Sequence, residues 1–125
     1  MDFHFTEKED AFRQEVRDWL RKEIPARWIE LGVALWEEDD EIWAIARQFE
    51  LELAEKGWLA PAYPSQYGGI NATHVEQAIL SEEKAYARAP TTGSDILAVG
   101  WVGPTILIYG TEEQKGKYVK GIGTG

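Results

Sequence analysis

The stretch SDILAVGWVGPTILIYGTEEQKGKYV, residues 94–119, decides the fold of this chain. Its first part, residues 94–110, is apolar at nearly every position, which is typical of a helix buried on all sides. Pro104 removes one backbone hydrogen bond inside this helix, so the sequence predicts a kink there. We therefore expect a buried central helix around which the rest of the chain packs.

A corner follows this helix. Gly110 can end a helix without side-chain strain, and Thr111 with Gln114 three residues later forms a capping box. The pattern predicts a fifth helix that starts at Thr111 and runs through Val119. Residues 121–125, GIGTG, offer little to pack and are expected to form a frayed end or a linker.

Three further helices are predicted upstream from apolar residues at helical spacing. Their start signals are Thr6, the acidic run at 37–41 and Thr73, and their ends are Pro25, Gly57 and the APTTG stretch at 89–93. The expected inward-facing residues are Phe5, Phe12, Val16, Trp19, Leu20 and Ile24; Ile42, Ala46, Phe49 and Leu53; and Val75, Ala78, Ile79 and Tyr86. Residues 25–36 read as a connector with some helix, and residues 60–69 as an ordered loop. Without strand alternation, the fold class is all-α: an up-and-down type helical bundle of about five helices.

The amino-acid composition argues against several classes of function. Among 125 residues, 13 Lys and Arg stand against 22 Asp and Glu, and a net charge of -9 argues against nucleic-acid binding. The absence of cysteine excludes disulfides and thiol chemistry. The acidic N-terminus is unlike a signal peptide, and the longest apolar stretch, residues 96–110, is shorter than the ~20 residues that span a bilayer. We expect a soluble, cytoplasmic protein with no membrane partner.

Few residues suggest chemistry on their own. His4 and His74 lack a second ligand at metal-binding spacing, so no metal site is predicted. Glu82 shares a stripe with apolar residues, which is compatible with a buried acid of raised pKa fit for proton transfer; the favoured alternative is an edge residue that pairs with an arginine or a backbone group. Six tryptophans are more than a small core needs. We expect core positions for Trp19, Trp43 and Trp101, and an interface role for some of Trp28, Trp36 and Trp58.

Four stretches together resemble one family, the acyl-CoA dehydrogenases, and specifically their N-terminal helical domain. They are DFHFTEKEDAFRQEVRDWL at 2–20, LAEKGWLAPAYPSQYGG at 53–69, VEQAILSEEKAYA at 75–87 and VGPTILIYGTEEQKGKYV at 102–119. The joint presence of the YGG loop and the GTEEQK corner is distinctive. The resemblance covers nearly the whole chain and identifies residues 1–125 as this domain.

The resemblance implies a parent enzyme with a β-domain and a C-terminal helical domain after this one. In such enzymes FAD is held mainly by the two later domains, and a glutamate of the C-terminal domain abstracts the α-proton of an acyl-CoA. A hydride then passes to the flavin and leaves a trans-2-enoyl thioester. We therefore expect no catalytic residue, no bound cofactor and no activity in these 125 residues. The expected partners are the remaining domains of the same protein and further copies of it in a homo-oligomer.

By position, the resemblance assigns a substrate-binding role to the start of the fourth helix, which walls the far end of the acyl pocket. The residues concerned are Gly93, Ser94, Leu97, Ala98 and Trp101. Trp101 either points into the pocket and shortens it or faces the first or third helix as a core residue, and we favour the second. A stand-alone helical module for protein interaction is the alternative function.

Overall fold

The computed structural model describes residues 4–32 and 39–125, and these residues form helices and connecting loops without a strand. The helices are α1 (Glu7–Glu23), α2 (Ala26–Leu31), α3 (Asp40–Glu55), α4 (His74–Tyr86), α5 (residues 95–109) and α6 (residues 112–124). Within α5, Asp95–Val102 is π-helical and Gly103–Tyr109 is α-helical; within α6, Lys115–Val119 is π-helical. A 3-10 turn, Ser65–Tyr67, lies in the loop after α3. The predicted all-α fold class is confirmed. Trp36 and residues 37 and 38 of the acidic run lie outside the described residues.

The predicted helix starts are confirmed. Thr6, Thr73 and Thr111 each accept a hydrogen bond from the backbone three residues later, and the Glu or Gln at that position bonds back to the threonine N–H. At α3, the Asp39 side chain accepts from the N–H groups of Glu41 and Ile42. These caps satisfy backbone donors that have no partner inside the helix.

The core lies between α1, α3 and the loop that follows α3. The predicted stripes of α1 and α3 supply its centre, where Val16, Leu20, Phe49 and Leu53 are almost fully buried. Phe5, which was also predicted to face inward, is 44% exposed. Other core members come from the loop, α4, α5 and α6: Trp58, Leu59, Ala60, Tyr63, Leu80, Val99 and Val119. The rings of Trp19 lie 5.4 Å from Trp58 and 5.5 Å from Phe49, at the distances of favourable aromatic pairs.

The predicted facing of α4 is wrong for three of its four residues. Tyr86 is 91% exposed, and Val75 and Ala78 are also exposed, whereas Ile79 is buried as predicted. The helix is rotated so that Leu80 and Glu83 lie inward beside Ile79. Glu83 faces α1 because two arginines of α1 bind its carboxylate.

The tryptophan assignments are also revised. Trp43 is largely exposed, although a core position was expected. Trp58 and Trp28 come from the predicted connections and are buried; Trp28 lies on helix α2, within the connector predicted to contain some helix, and donates from Nε1 to the carbonyl of Arg88 at 2.8 Å. Both rings are therefore core residues, and the polar N–H of Trp28 finds a partner inside the protein.

The expectation of a helix buried on all sides is wrong for this chain. In α5, Val99 and Gly103 are buried. The large apolar side chains exposed on this helix are Ile96, Leu97, Trp101, Val102, Ile108 and Tyr109. Trp101 is 65% exposed, so its expected core position is wrong as well. One side of the helix packs on the core, and its remaining apolar surface has no cover among the described residues.

The end of the chain is helical, which corrects the expectation of a frayed end or linker. Lys120–Thr124 forms the last turn of α6, where Ile122 packs on the core and Gly123 is buried. A Cβ built at Gly123 would lie 2.0 Å from the carbonyl oxygen of Tyr67. The glycine thus allows helix α6 to lie directly against the backbone of the 3-10 turn.

Candidate substrate site

A hydrogen bond from Tyr63 fixes the first part of α5. This bond is needed because the π-helix and Pro104 leave one backbone carbonyl without a donor. The Gly103 N–H bonds to the carbonyl of Ala98, five residues earlier. The same pattern would pair Val99 with residue 104, but proline has no N–H. The hydroxyl of buried Tyr63 donates to the Val99 carbonyl at 2.8 Å. Tyr63 therefore satisfies a buried acceptor that the helix leaves without a partner. The π-helix before Pro104 was not predicted, and the kink stays a prediction.

Gly103 makes room for this contact. A Cβ at position 103 would lie 1.6 Å from the Tyr63 hydroxyl oxygen. Tyr63 itself lies in the core, 2% exposed. The glycine and the tyrosine together set how closely α5 approaches the loop after α3.

The buried hydrogen bond between Tyr63 and Val99 predicts a loss of stability at alkaline pH. Burial raises the pKa of Tyr63 to about 12, against about 10 in an unfolded chain. Because the folded pKa is the higher one, the contribution is complete below about pH 10 and is lost as the pH rises toward about 12. We expect chemical denaturation to show a fall of roughly 2 kcal/mol from this group over that range. The Tyr63→Phe variant should lack this part of the pH dependence, and an identical profile in both proteins would contradict the assignment.

An open groove of about 480 Å³ runs between the start of α5, the last turns of α6 and the loop after α3. Its lining is mostly carbon: Leu59, Ala98, Val99, Val102, Ile106 and Ile122, with Ser94, Tyr118, Gly121 and Gly125. Arg47 and Lys117 also line it. The volume is in the range of small-molecule sites, and the lining suits an apolar group.

The groove contains two of the five sequence-predicted site residues. Ser94 and Ala98 lie in its wall, one helical turn apart. Leu97 and Trp101 do not line it; they are exposed on another side of α5. Gly93 precedes the helix with φ +82° and has open space around a Cβ position. The start of α5 thus presents two surfaces, the groove wall and an exposed apolar side.

A buried carboxylate beside the groove was missed by the sequence reasoning. Glu50 of α3 is 1% exposed, and it accepts hydrogen bonds from Thr91, Thr92 and Ser94. Its signal in the sequence is its place next to Phe49 on the inner face of α3. Because Ser94 donates to Glu50 at 3.0 Å, its hydroxyl is already engaged with α3.

Glu82 behaves as the favoured alternative predicted. Its side chain is 66% exposed and accepts a hydrogen bond from Arg13 at 2.8 Å. The neighbouring Glu83, 5% exposed in its side chain, is the buried acid of this helix. Hydrogen bonds from Arg17, and then from Arg13, lower the pKa of Glu83. This cluster joins α1 to α4, and none of its residues lines the groove.

Neither histidine suggests a metal site. His4 and His74 are both exposed. In residues 4–32 and 39–125, no group of three or more His, Cys, Asp or Glu side chains is placed to hold a metal ion. No helix in these two ranges is long and apolar enough to cross a membrane.

These helices and their corner match a known domain family. Residues 6–125 match the family model described as acyl-CoA dehydrogenase, N-terminal domain, so the chain belongs to this family. The chain is 30% identical over 133 residues to FadE26, an acyl-CoA dehydrogenase of Mycobacterium tuberculosis. The match covers all of this chain and 30% of that protein. YngJ of Bacillus subtilis, a probable acyl-CoA dehydrogenase, is 26% identical over 125 residues. The chain spans 30% and 31% of the lengths of these two relatives.

Solved structures of similar fold include two complexes. The ChsE4-ChsE5 complex of Mycobacterium tuberculosis contains a chain that matches 99% of this one with a TM-score of 0.78 and 27% identity. A structure titled Tcur3481-Tcur3483 steroid ACAD matches 99% with a TM-score of 0.76 and 32% identity. The match covers 29% and 30% of those two chains.

Proposed function

We propose that this chain is the helical N-terminal portion of a flavin-dependent acyl-CoA dehydrogenase, which oxidises the α,β bond of an acyl-CoA thioester. The family match over residues 6–125 supports the class of enzyme. The observation that supports the proposed role of this domain is the carbon-lined groove at the start of α5, where we expect the acyl wall from the family resemblance. On this proposal the parent enzyme belongs to cytoplasmic fatty acid or lipid metabolism.

The groove and the adjacent side of α5 would form the wall of the acyl pocket. Ser94 turns its hydroxyl to Glu50, and Ala98, Val99 and Val102 supply carbon surface. Such a wall would exclude water and hold an apolar acyl chain, because burial of apolar surface is the main attraction available to it. Gly93, Leu97 and Trp101 would line the pocket from the exposed side once the rest of the enzyme covers α5.

The groove fits an acyl chain better than a flavin. FAD carries a pyrophosphate, which favours backbone N–H groups at a helix start or several cationic side chains. Here Arg47 and Lys117 are the two cations among the lining residues, and the Arg47 guanidinium bonds to the carbonyl of Gly125. We therefore assign FAD, which accepts the hydride when bound, to the remaining domains of the parent enzyme.

The exposed apolar side of α5 would be an interface. Ile96, Ile108 and Tyr109 expose large apolar groups along one helix, which is typical of surface that another domain or subunit covers. The family resemblance implies a homo-oligomer. The titles of the similar solved structures name pairs of different chains, so a two-component assembly is the second arrangement to test.

A chimera tests this proposal. The chain would replace the aligned N-terminal 30% of FadE26, with the rest of that enzyme kept. We expect a yellow protein that oxidises acyl-CoA in the presence of an electron acceptor, since the later domains supply flavin and base. A chimera that folds and binds FAD but oxidises no acyl-CoA, when FadE26 itself is active, would contradict the proposal.

The purified 125-residue chain gives a second test. We expect no visible flavin absorbance and no dehydrogenase activity, because the cofactor contacts are assigned to other domains. Tight binding of FAD by this chain alone would contradict that assignment. A folded chain that is colourless, together with an inactive chimera, would favour the alternative of a helical protein-interaction module.

A further inference from the structure

Glu50 is a buried carboxylate that takes part in no salt bridge among the described residues. It lies on the inner face of α3 and is 1% exposed. The ion pairs formed within residues 4–32 and 39–125 do not include it. A buried carboxylate without a cation is costly unless hydrogen bonds to it are nearly complete. The groups that donate hydrogen bonds to Glu50 therefore indicate its role.

All of its donors come from the four residues that precede α5. The Thr92 N–H lies 2.7 Å from Oε1, and the Thr92 hydroxyl lies 2.8 Å from Oε2. The hydroxyl of Ser94 donates to Oε2 at 3.0 Å and that of Thr91 to Oε1 at 3.2 Å. One carboxylate thus collects a backbone N–H and three hydroxyl groups from a single turn.

Two of these hydroxyl groups also accept hydrogen bonds from the backbone of the same turn. The Gly93 N–H donates to the Thr91 hydroxyl oxygen at 2.9 Å, and the Ser94 N–H donates to the Thr92 hydroxyl oxygen at 3.3 Å. The N–H groups of three consecutive residues are therefore satisfied directly by Glu50 or through a hydroxyl that it binds. These bonds order the turn that precedes α5, through a side chain 44 residues away from Ser94.

We propose that Glu50 is a positioning residue of the acyl wall, which fixes the turn at 91–94 and so sets where α5 begins at the groove. Ser94 is both a ligand of Glu50 and part of the groove lining. Because Ala98 lies one helical turn after Ser94 on the same helix, a shift of Ser94 would also move Ala98. The link to substrate selectivity rests on the proposed function, whereas the link to the geometry of the turn does not.

The donors use both oxygens of the carboxylate. The backbone N–H of Thr92 lies on Oε1 and the hydroxyl of Ser94 on Oε2. Glutamine has the same shape but one acceptor oxygen, so a hydroxyl that donates to Oε2 would have to reorient and accept from the NH2 group. Glu50→Gln should therefore loosen the turn without leaving a cavity. Glu52→Gln is the matched control, because Glu52 bonds to Gln48 on the surface of the same helix.

Amide hydrogen exchange of the 125-residue chain tests the positioning. In Glu50→Gln we expect exchange at the amides of residues 92–94 to accelerate about tenfold or more, since bonds to a charged acceptor hold this turn closed. The Glu52→Gln variant should leave these amides unchanged. Equal exchange rates at 92–94 in the two variants would overturn the proposal.

Variants that remove single donors cover the case in which Glu50→Gln does not fold. Ser94→Ala and Thr92→Val keep the carboxylate and each delete one hydroxyl. We expect each to accelerate exchange at the same amides by a smaller factor. If neither changes the exchange of residues 92–94, the network does not hold the turn and the proposal is wrong.

The FadE26 chimera tests the effect on the wall. We expect Glu50→Gln to change the ratio of kcat/KM for a long and a short acyl-CoA by about tenfold, while Glu52→Gln leaves it unchanged. A general loss of stability would lower both rates together and leave the ratio intact, which would contradict the role in the wall. An inactive wild-type chimera would instead contradict the proposed function, and hydrogen exchange would still decide the role of Glu50 in the turn.

Discussion

Replacement of Gly69 by alanine is expected to lower the free energy of unfolding by about 3 kcal/mol. A Cβ at this position would lie 2.1 Å from the carbonyl oxygen of Tyr63 and 2.5 Å from that of Ala60. Both atoms belong to the backbone of a tightly bonded loop, in which the N–H of Tyr63 donates to Ala60 and its carbonyl accepts from Asn71. Neither carbonyl can move without breaking these bonds. The clash therefore also disturbs Tyr63, which holds α5.

Thermal unfolding measures this effect. For a chain of this size the loss corresponds to a fall in Tm on the order of 10 °C. Gly116→Ala is the matched control, because Gly116 is exposed on α6 and a Cβ there has no neighbour within 4 Å. Alanine favours a helix over glycine by about 1 kcal/mol, so the control should be equally stable or slightly more stable. Equal Tm values for the two variants would show that the backbone approach at Gly69 is not as close as described.

Removal of the charge of Glu83 is expected to cost about 3 to 5 kcal/mol. Its carboxylate binds Arg13 at 2.8 Å and receives two hydrogen bonds from Arg17, at 2.8 and 2.9 Å. Arg13 is also largely buried, so Glu83→Gln leaves a cation in the interior with less of its compensating charge. The variant should therefore loosen the contact between α1 and α4, which denaturant unfolding would detect.

Glu82→Gln is the control for this change. Glu82 binds the same Arg13 but is mostly exposed, and exposed ion pairs contribute about 1 kcal/mol or less. The arginines lower the pKa of Glu83, so its contribution is complete above the unfolded pKa of about 4.3 and is lost as the pH falls through the folded pKa. Glu83→Gln should lack this acid dependence. A loss of stability no larger than that of Glu82→Gln would contradict a buried ion pair.

The sequence predicts best what is decided within one helical turn. The starts of α1, α4 and α6 follow from capping boxes at Thr6, Thr73 and Thr111, which need no tertiary contact. The buried faces of α1 and α3 follow from their apolar spacing, because few charged residues interrupt those stripes. The all-α fold class rests on the same local signals.

The facing of α4 could not be predicted from apolar spacing. Counting apolar residues placed Tyr86 inside, whereas the ion pair with Arg17 turns Glu83 inward. Uniform apolarity likewise predicted a helix buried on all sides, which is wrong among the described residues. Trp101 is 65% exposed there.

The candidate site was predicted only in part. Family resemblance pointed to the start of α5, and Ser94 and Ala98 do line a groove there. Glu50 was missed because its donors lie more than 40 residues later, and nothing local in the sequence indicates that they meet. The pairing of Tyr63 with Val99 depends on a π-helical turn, for which no sequence signal was used.

The central claim, that the start of α5 forms the wall of the acyl pocket, is tested most directly by the substrate selectivity of the FadE26 chimera. The measurement is the ratio of kcat/KM for a long and a short acyl-CoA in the Trp101→Ala variant. The control is Tyr109→Ala, because Tyr109 is an exposed aromatic residue farther along the same helix. We expect Trp101→Ala to shift the ratio toward the long substrate by about tenfold or more, because loss of the ring lengthens the pocket, and Tyr109→Ala to leave it unchanged. The same ratio in the wild-type chimera and in Trp101→Ala would contradict the assignment of Trp101 and this part of α5 to the wall.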